Sequence, residues 1–281
     1  MSEFITLREA AERLGVHYMT VYRYVRLGLL AAHKDDRTWL IASRDLDMFQ
    51  HGNASDSSVP VSKRTAPWDE RLENRLLAGD QSGAWKVIEA ALASGTTPLH
   101  VYSDMLVPAL RSIGERWESG QIGVDREHQA SVMVARIIGR LGPRFSTRGR
   151  RKGAVVLAAP PGERHGLGLA MAGDALRGGG YTAVDLGPDT PVEALESAIS
   201  RTEQLRAVCL GIINPSSLEA ARDMVRAARR HLDRASPVIL GGGAVASDSQ
   251  ARELGADGKA DLLSVVDAVE AGRESQSAVM V

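Results

Sequence analysis

The sequence predicts a multidomain protein in three ordered parts: a small helix-turn-helix unit with a hairpin wing, a four-helix bundle, and an α/β domain on a five-stranded parallel sheet. Three observations predict it. Two short helical segments joined by a glycine turn lie within the first fifty residues and are followed by a strand-forming hairpin. Four longer segments between 68 and 141 then repeat apolar residues at three- and four-residue spacing, and from 153 onward short apolar strands alternate with helices.

With 281 residues, 44% hydrophobic and 25% charged, the composition is that of an ordinary globular protein able to bury several cores. The longest apolar runs, such as 207–213, are far too short to span a bilayer, and the N-terminus has no charged-then-apolar leader. The expected location is cytoplasmic, with no membrane partner. Cys209 lies inside that apolar run and reads as a buried, inert thiol. A net charge of -1 means that any nucleic-acid surface must be a local patch.

In the first unit (1–51), Thr6 caps a helix over 7–14, Glu9 stands at capping-box spacing, and Gly15 ends the helix. A second helix over 18–27 is closed by Gly28. It sets Thr20, Tyr22, Arg23 and Arg26 among apolar Val21 and Val25, so one stripe packs while the other offers donors for phosphates and base edges. Lys34, Asp35, Asp36 and Arg37 read as a turn leading into strand 38–41, and a last helix covers 44–49. The local charge from 18 to 44 is +3, with Lys34 and Arg37 on the wing. This unit resembles the MerR-like and excisionase-like winged helix-turn-helix domains, with Thr20-Val21-Tyr22-Arg23 and Arg37-Thr38-Trp39 at the matching positions. The resemblance implies double-stranded DNA as a partner.

Residues 52–67 are rich in Ser, Pro, Asn and Thr without apolar periodicity and read as a flexible linker. The bundle follows (68–142), with helices over 68–77, 82–93, 98–117 and 125–141. The basic run 148–152 reads as a solvated linker or as a contact for DNA or a neighbouring subunit. The α/β domain (153–271) has strands at 154–159, 182–186, 207–213, 238–240 and 258–260, and residues 272–281 read as a disordered tail. Ligands of such sheets sit beyond the carboxyl ends of the strands. Three loops emerge there: 163–168, 214–218 and 241–243.

The first of these loops carries Glu163-Arg164-His165-Gly166-Leu167-Gly168 and precedes a helix over 169–176. A histidine with a carboxylate two residues before it suits a ligating imidazole whose other ring nitrogen is held. A dinucleotide would need a glycine fingerprint directly after the first strand, and phosphoryl transfer a Gly-Lys-Ser/Thr ending; neither is present. Zinc spacing supported by cysteine is also missing.

The loops resemble those of the cobalamin-binding domains of methionine synthases and mutases, whose pattern is Asp-x-His-x-x-Gly, then Ser-x-Leu, then Gly-Gly. Here these stand as Glu163-x-His165-x-x-Gly168, Ser216-x-Leu218 and Gly241-Gly242-Gly243. The resemblance implies a flavodoxin/Rossmann-like cobalamin-binding domain. In it His165 ligates cobalt from below, and the nucleotide tail enters a slot lined by Ser216, Leu218 and the three glycines. Glu163 in place of Asp adds a methylene, which is expected to lengthen or shift the hydrogen bond to His165.

Trp117, followed ten positions later by Glu127-His128, matches the motif of the CarH/LitR family of adenosylcobalamin-dependent photoreceptors. That family is also built as a MerR-like reader, a cap bundle and a cobalamin domain. The resemblance implies that Trp117 packs on the upper axial group with Glu127 and His128 beside the adenosyl moiety. Family members carry a cobalt-capturing histidine after the tryptophan, where this sequence has Glu118. Three outcomes for the illuminated cobalt stay open: water, His128, or release of the cofactor.

The expectation is a non-enzymatic, light-responsive, cobalamin-dependent transcriptional repressor. It would bind its operator as a homo-oligomer, a tetramer in the dark, and rearrange when light breaks the cobalt–carbon bond. A corrinoid methyl carrier and a cobalamin-sensing regulator without photochemistry are the alternatives.

Overall fold

The computed structural model describes residues 4–14, 21, 25, 30, 32–35, 38–46, 67–233 and 236–277. The chain divides into two compact units, Met1–Pro67 and Trp68–Val281.

In the first unit, strand β1 (Phe4–Thr6) leads into helix α1 (Leu7–Leu14), and β2 (His33–Asp35) and β3 (Thr38–Ala42) complete an antiparallel sheet of order β1-β3-β2. The Thr6 amide donates to Glu9 Oε2 at 2.8 Å and the Glu9 amide to Thr6 Oγ1 at 3.3 Å, so each side chain satisfies a donor that the helix start leaves unpaired. Val21 and Val25 are helical and buried with Leu7, Leu30, Ile41 and Leu46, the apolar stripe the sequence places inward. Two features differ from the sequence reading. β1 adds a third strand, and Lys34 and Asp35 belong to β2, paired with Trp39 and Thr38, because cross-strand pairing extends further than the turn residues suggest. Thr20, Tyr22, Arg23, Arg26, Arg37 and all of the expected linker but Pro67 lie outside the described residues.

The second unit begins with helices α2 (Trp68–Leu77), α3 (Gln81–Ala93), α4 (Pro98–Val101), α5 (Val107–Glu118) and α6 (Val124–Leu141). They enclose a core that includes Leu72, Leu76, Ile88, Tyr102, Leu106, Ile113, Val134 and Leu141. Asp80 caps α3 by accepting from the Gly83 amide at 2.8 Å, and Thr97 caps α4 ahead of Pro98. The sequence reads 98–117 as one helix, but a π turn (Tyr102–Leu106) separates α4 from α5. Pro108 explains it. Proline has no amide to donate, and its ring would strike the carbonyl four residues back, so the wider turn before it relieves a clash.

Strands β4 (Ala154–Ala158), β5 (Thr182–Asp185), β6 (Leu205–Gly211), β7 (Val238–Gly241) and β8 (Gly258–Lys259) form a parallel sheet of order β5-β4-β6-β7-β8. Every residue of β4 is buried, as expected for a strand with helices on both faces. The intervening helices are α7 (Leu167–Gly178), α8 (Val192–Arg201), α9 (Leu218–His231), α10 (Asp248–Glu253) and α11 (Val265–Ser277). The last of these runs into the segment expected to be a disordered tail: Glu270, Ala271, Arg273 and Gln276 are good helix formers, and Val265 and Val269 anchor its start in the core. Residues 278–281 lie outside the described residues.

Counted within the sheet, the strand order is 2-1-3-4-5, the flavodoxin-like order, whose ligand crevice opens between the first and third strands. Here these are β4 and β6. The helical layer rests on α7, with Met171 joining its core and the buried Tyr102 hydroxyl donating to Asp174 Oδ2 at 2.7 Å. Among the described residues no helix is long and apolar enough to cross a membrane.

Candidate functional site

The crevice between β4 and β6 is held together by one carboxylate. Glu163, on the loop leaving β4, is fully buried, whereas glutamate is ordinarily a surface residue. Its Oε2 accepts from the amides of Ile213 (2.8 Å) and Asn214 (2.7 Å) on the loop leaving β6. Its Oε1 accepts from the His165 amide at 3.1 Å and lies 2.5 Å from His165 Nδ1. A third loop joins through the backbone: the Asp189 amide donates to the Glu163 carbonyl at 2.8 Å, and Asp189 Oδ1 accepts from the Gly162 amide at 2.7 Å.

Burial alone would push the Glu163 carboxyl up. The hydrogen bonds from Asn214, His165 and Ile213 outweigh it and hold the group below its ordinary 4.5. An ionised carboxylate only accepts, so Nδ1 carries the proton toward Glu163, and in the neutral ring Nε2 keeps a lone pair. The His165 side chain is 56% exposed, so that lone pair sits on a ring fixed at one edge and open at the other. The extra methylene of glutamate neither lengthens nor breaks the expected bond. Buried in the crevice, it lets one carboxylate reach the histidine and the facing loop together.

The other loop residues fall into two groups. Gly242, at φ +101°, is where β6 and β7 exits meet: a Cβ there would lie 2.1 Å from the Ile212 carbonyl oxygen, so only glycine permits the approach. A Cβ on Gly241 would meet the Ala260 carbonyl oxygen at 3.1 Å, whereas Gly243 faces open space. Three placements differ from the loop reading. Gly168 lies in the first turn of α7, because the Gly166 carbonyl already accepts from the Ala170 amide and starts the helix there. Leu218 opens α9 and packs against the core under the sheet. Ser216 sits exposed on a 3-10 turn (Pro215–Ser217), with its hydroxyl donating to Asn214 Oδ1 at 2.9 Å.

In the helical layer, Trp117 stands in the last turn of α5, closed by the Gly120 amide on the Trp117 carbonyl, and is 44% exposed despite its large apolar ring. Arg116 beside it pins α5 to α2 through Glu73 at 3.0 Å. Glu118, the last residue of α5, is exposed. Glu127 and His128 lie on α6, where Glu127 Oε2 is 2.5 Å from His128 Nδ1 and Oε1 accepts from Ser131 Oγ at 2.6 Å. Lys34 is on β2, and the other expected DNA contacts lie outside the described residues.

Sequence reasoning missed the amides of Ile213 and Asn214 and the turn at Asp189. Asp189 has φ 51°, and its Gly-Pro-Asp-Thr context is a turn signature that could have been read. It also missed Ile213 and Leu263, exposed apolar side chains on the loops leaving β6 and β8.

Residues 68–141 and 153–266 each match a family described as "B12 binding domain", and residues 4–54 match one described as "Helix-turn-helix domain". Similar curated proteins include the HTH-type transcriptional repressor CarH of Myxococcus xanthus, 35% identical over 181 residues, covering 64% of this chain and 59% of that protein. Methionine synthase of Mycobacterium leprae (strain TN) is 25% identical over 67% of this chain but only 17% of its own length. Monomethylamine corrinoid protein 1 of Methanosarcina mazei is 25% identical over 68% of this chain and 90% of its own. The chain thus spans about three-fifths of the repressor and a small part of the synthase. Among solved structures, the Methanosarcina barkeri monomethylamine corrinoid protein superposes with a TM-score of 0.63 at 20% identity, covering 73% of this chain and 97% of that one, which shows a shared fold.

The residues present fit a corrinoid. Among the described residues no cluster of three or more His, Cys, Asp or Glu side chains could hold a metal ion. His165 offers a metal one imidazole nitrogen, which suits a cobalt whose corrin ring brings its other ligands. Exposed Ile213 and Leu263 on the carboxyl edge suit the underside of a broad apolar ring, and the open side of Gly243 leaves room beside it.

Proposed function

We propose that this chain, a CarH-like protein with two B12 binding domains behind a helix-turn-helix segment, is a light-responsive, cobalamin-dependent transcriptional repressor that binds operator DNA as an oligomer. The observation that carries the cofactor reading is the buried Glu163 carboxylate, which joins two loops of the crevice and presents His165 Nε2 outward. An adenosylcobalamin held there supplies a cobalt–carbon bond that visible light breaks. His165 would hold its cobalt through Nε2, Glu163 would fix the orientation of that imidazole, and Gly241, Gly242 and Gly243 with Ser216 and Leu218 would border the slot for its tail. Trp117, Glu127 and His128 meet the upper group. The winged helix-turn-helix reader uses Thr20, Tyr22, Arg23, Arg26, Lys34 and Arg37.

Trp117, 44% exposed, offers an apolar ring face that the cofactor's upper group would cover. Loss of that group would leave the Trp117 ring uncovered in a helical layer that rests on α7 through Met171 and the Tyr102–Asp174 hydrogen bond. The oligomer, a tetramer in the dark, then loses the linked arrangement of its readers. A single small reader binds weakly, so loss of linkage lowers the effective concentration and releases the DNA.

The test records absorption spectra, size-exclusion elution and operator binding of the adenosylcobalamin-loaded protein before and after green light. Photolysis, a smaller particle and weaker DNA binding are expected; an unchanged elution and affinity overturn the reading. Glu118 favours a second reading, a cobalamin-sensing regulator without photochemistry, and an unchanged spectrum selects it.

A further inference from the structure

Between Glu127 and Glu163 the chain contains no acidic residue but seven cations, in a protein of net charge -1. Arg136, Arg140, Arg144 and Arg148 recur every four residues, first along the exposed side of α6 and then through the 3-10 turn Gly142–Phe145 that follows it. Arg150, Arg151 and Lys152 continue the series up to β4, and all seven are exposed. Six of the seven are arginine, whose planar fork grips phosphate oxygens in pairs.

Internal partners account for only part of this charge. Arg136 donates to Gln81, Arg140 lies 3.7 Å from the Trp85 ring centroid and pairs with Glu89 at 3.9 Å, Arg151 reaches Thr147 and Lys152 pairs with Glu270 at 2.6 Å. Among the described residues Arg144, Arg148 and Arg150 have no carboxylate partner. The run also lies at the amino edge of the sheet, where the Lys152 amide donates to the Gly180 carbonyl and Arg206 Nε to the Lys152 carbonyl. That edge is opposite the one carrying Glu163 and His165, so a partner bound there leaves the cofactor crevice open.

We infer that this arginine row is a second, sequence-independent DNA-contact surface that grips the phosphate backbone of duplex already bound by the N-terminal reader. The inference rests on the DNA-binding reading above. Concentrated cations opposite a polyanion release counterions on binding, which adds affinity without base contacts. Because reader and row share one chain, the second contact forms at high effective concentration.

The test measures binding of the full-length, adenosylcobalamin-loaded protein to a fluorescent random-sequence duplex across a salt series in the dark. Each phosphate contact contributes about 0.9 to the slope of log affinity against log salt. Joint substitution of Arg144→Gln, Arg148→Gln and Arg150→Gln is expected to flatten that slope by about 2 to 3, while the corresponding triple lysine variant keeps most of it. An unchanged cobalamin spectrum and unfolding midpoint show that the glutamine variant is folded. A glutamine variant with the parental slope overturns the inference and leaves the reader intact. If the parent itself retains no duplex at low salt, the regulator reading falls as well.

Discussion

Glu163 and Glu127 each lie 2.5 Å from the Nδ1 of a histidine, but they are held very differently. The Glu163 side chain is fully buried and accepts from the Ile213 and Asn214 amides on a facing loop, both positioned by the parallel sheet. Glu127 is one-quarter exposed on a helix, its second donor is the Ser131 hydroxyl one turn along, and its histidine is 74% exposed. The distance between carboxylate and imidazole is therefore a poor measure of how firmly the ring is aimed. Firm aim comes from a carboxylate that cannot leave without orphaning other groups.

The largest expected effect follows directly. Glu163→Ala removes the acceptor of the Ile213, Asn214 and His165 amides, and at about 1 kcal/mol for each hydrogen bond lost it should lower unfolding free energy by ~3 kcal/mol in urea titrations. A loss no larger than that of Glu127→Ala would erase the distinction. Next, Glu163→Gln keeps the shape but removes the anion that orients His165. Absorbance titration should show cobalamin affinity falling by about 10- to 100-fold, the usual cost of removing a metal ligand's supporting group, with Glu163→Asp intermediate.

A smaller effect appears with pH. The Glu163 carboxyl in the folded chain lies below its ordinary 4.5, so its contribution is fully present above that value and fades as pH falls through the lowered one. The parent should lose more stability than Glu163→Gln on acidification below 4.5, and parallel acid unfolding curves would contradict this. The smallest effect belongs to Glu127→Gln, a partly exposed pair worth roughly 0.5 to 1 kcal/mol at most. Its unfolding midpoint should barely move, and a shift matching that of Glu163→Ala would place Glu127 in the same class.

Much of this was legible in the sequence because it is local. Apolar spacing of three and four marks the helices of the second unit, and the run 154–159 reads as a strand without any partner in view, one residue longer than β4. The Thr6 and Glu9 capping pair is written into four consecutive residues. Local pattern failed where a single residue had a backbone consequence, as at Pro108, whose missing amide turns one expected helix into two joined by a π turn. It also misplaced Gly168 and Leu218, read as loop residues, which stand in the first turns of α7 and α9.

Neighbours along the chain are enough to set which segments become strands and helices, to put a carboxylate two residues from His165, and to mark the basic run 148–152. Only the tertiary structure decided the strand order, which sets the crevice between β4 and β6, and the identity of the groups that hold Glu163. Ile213 and Asn214 are some fifty residues from Glu163, and no periodicity encodes their meeting. It is produced by parallel pairing of β4 with β6, which brings two loops to one edge of the sheet and leaves a single buried carboxylate to satisfy both.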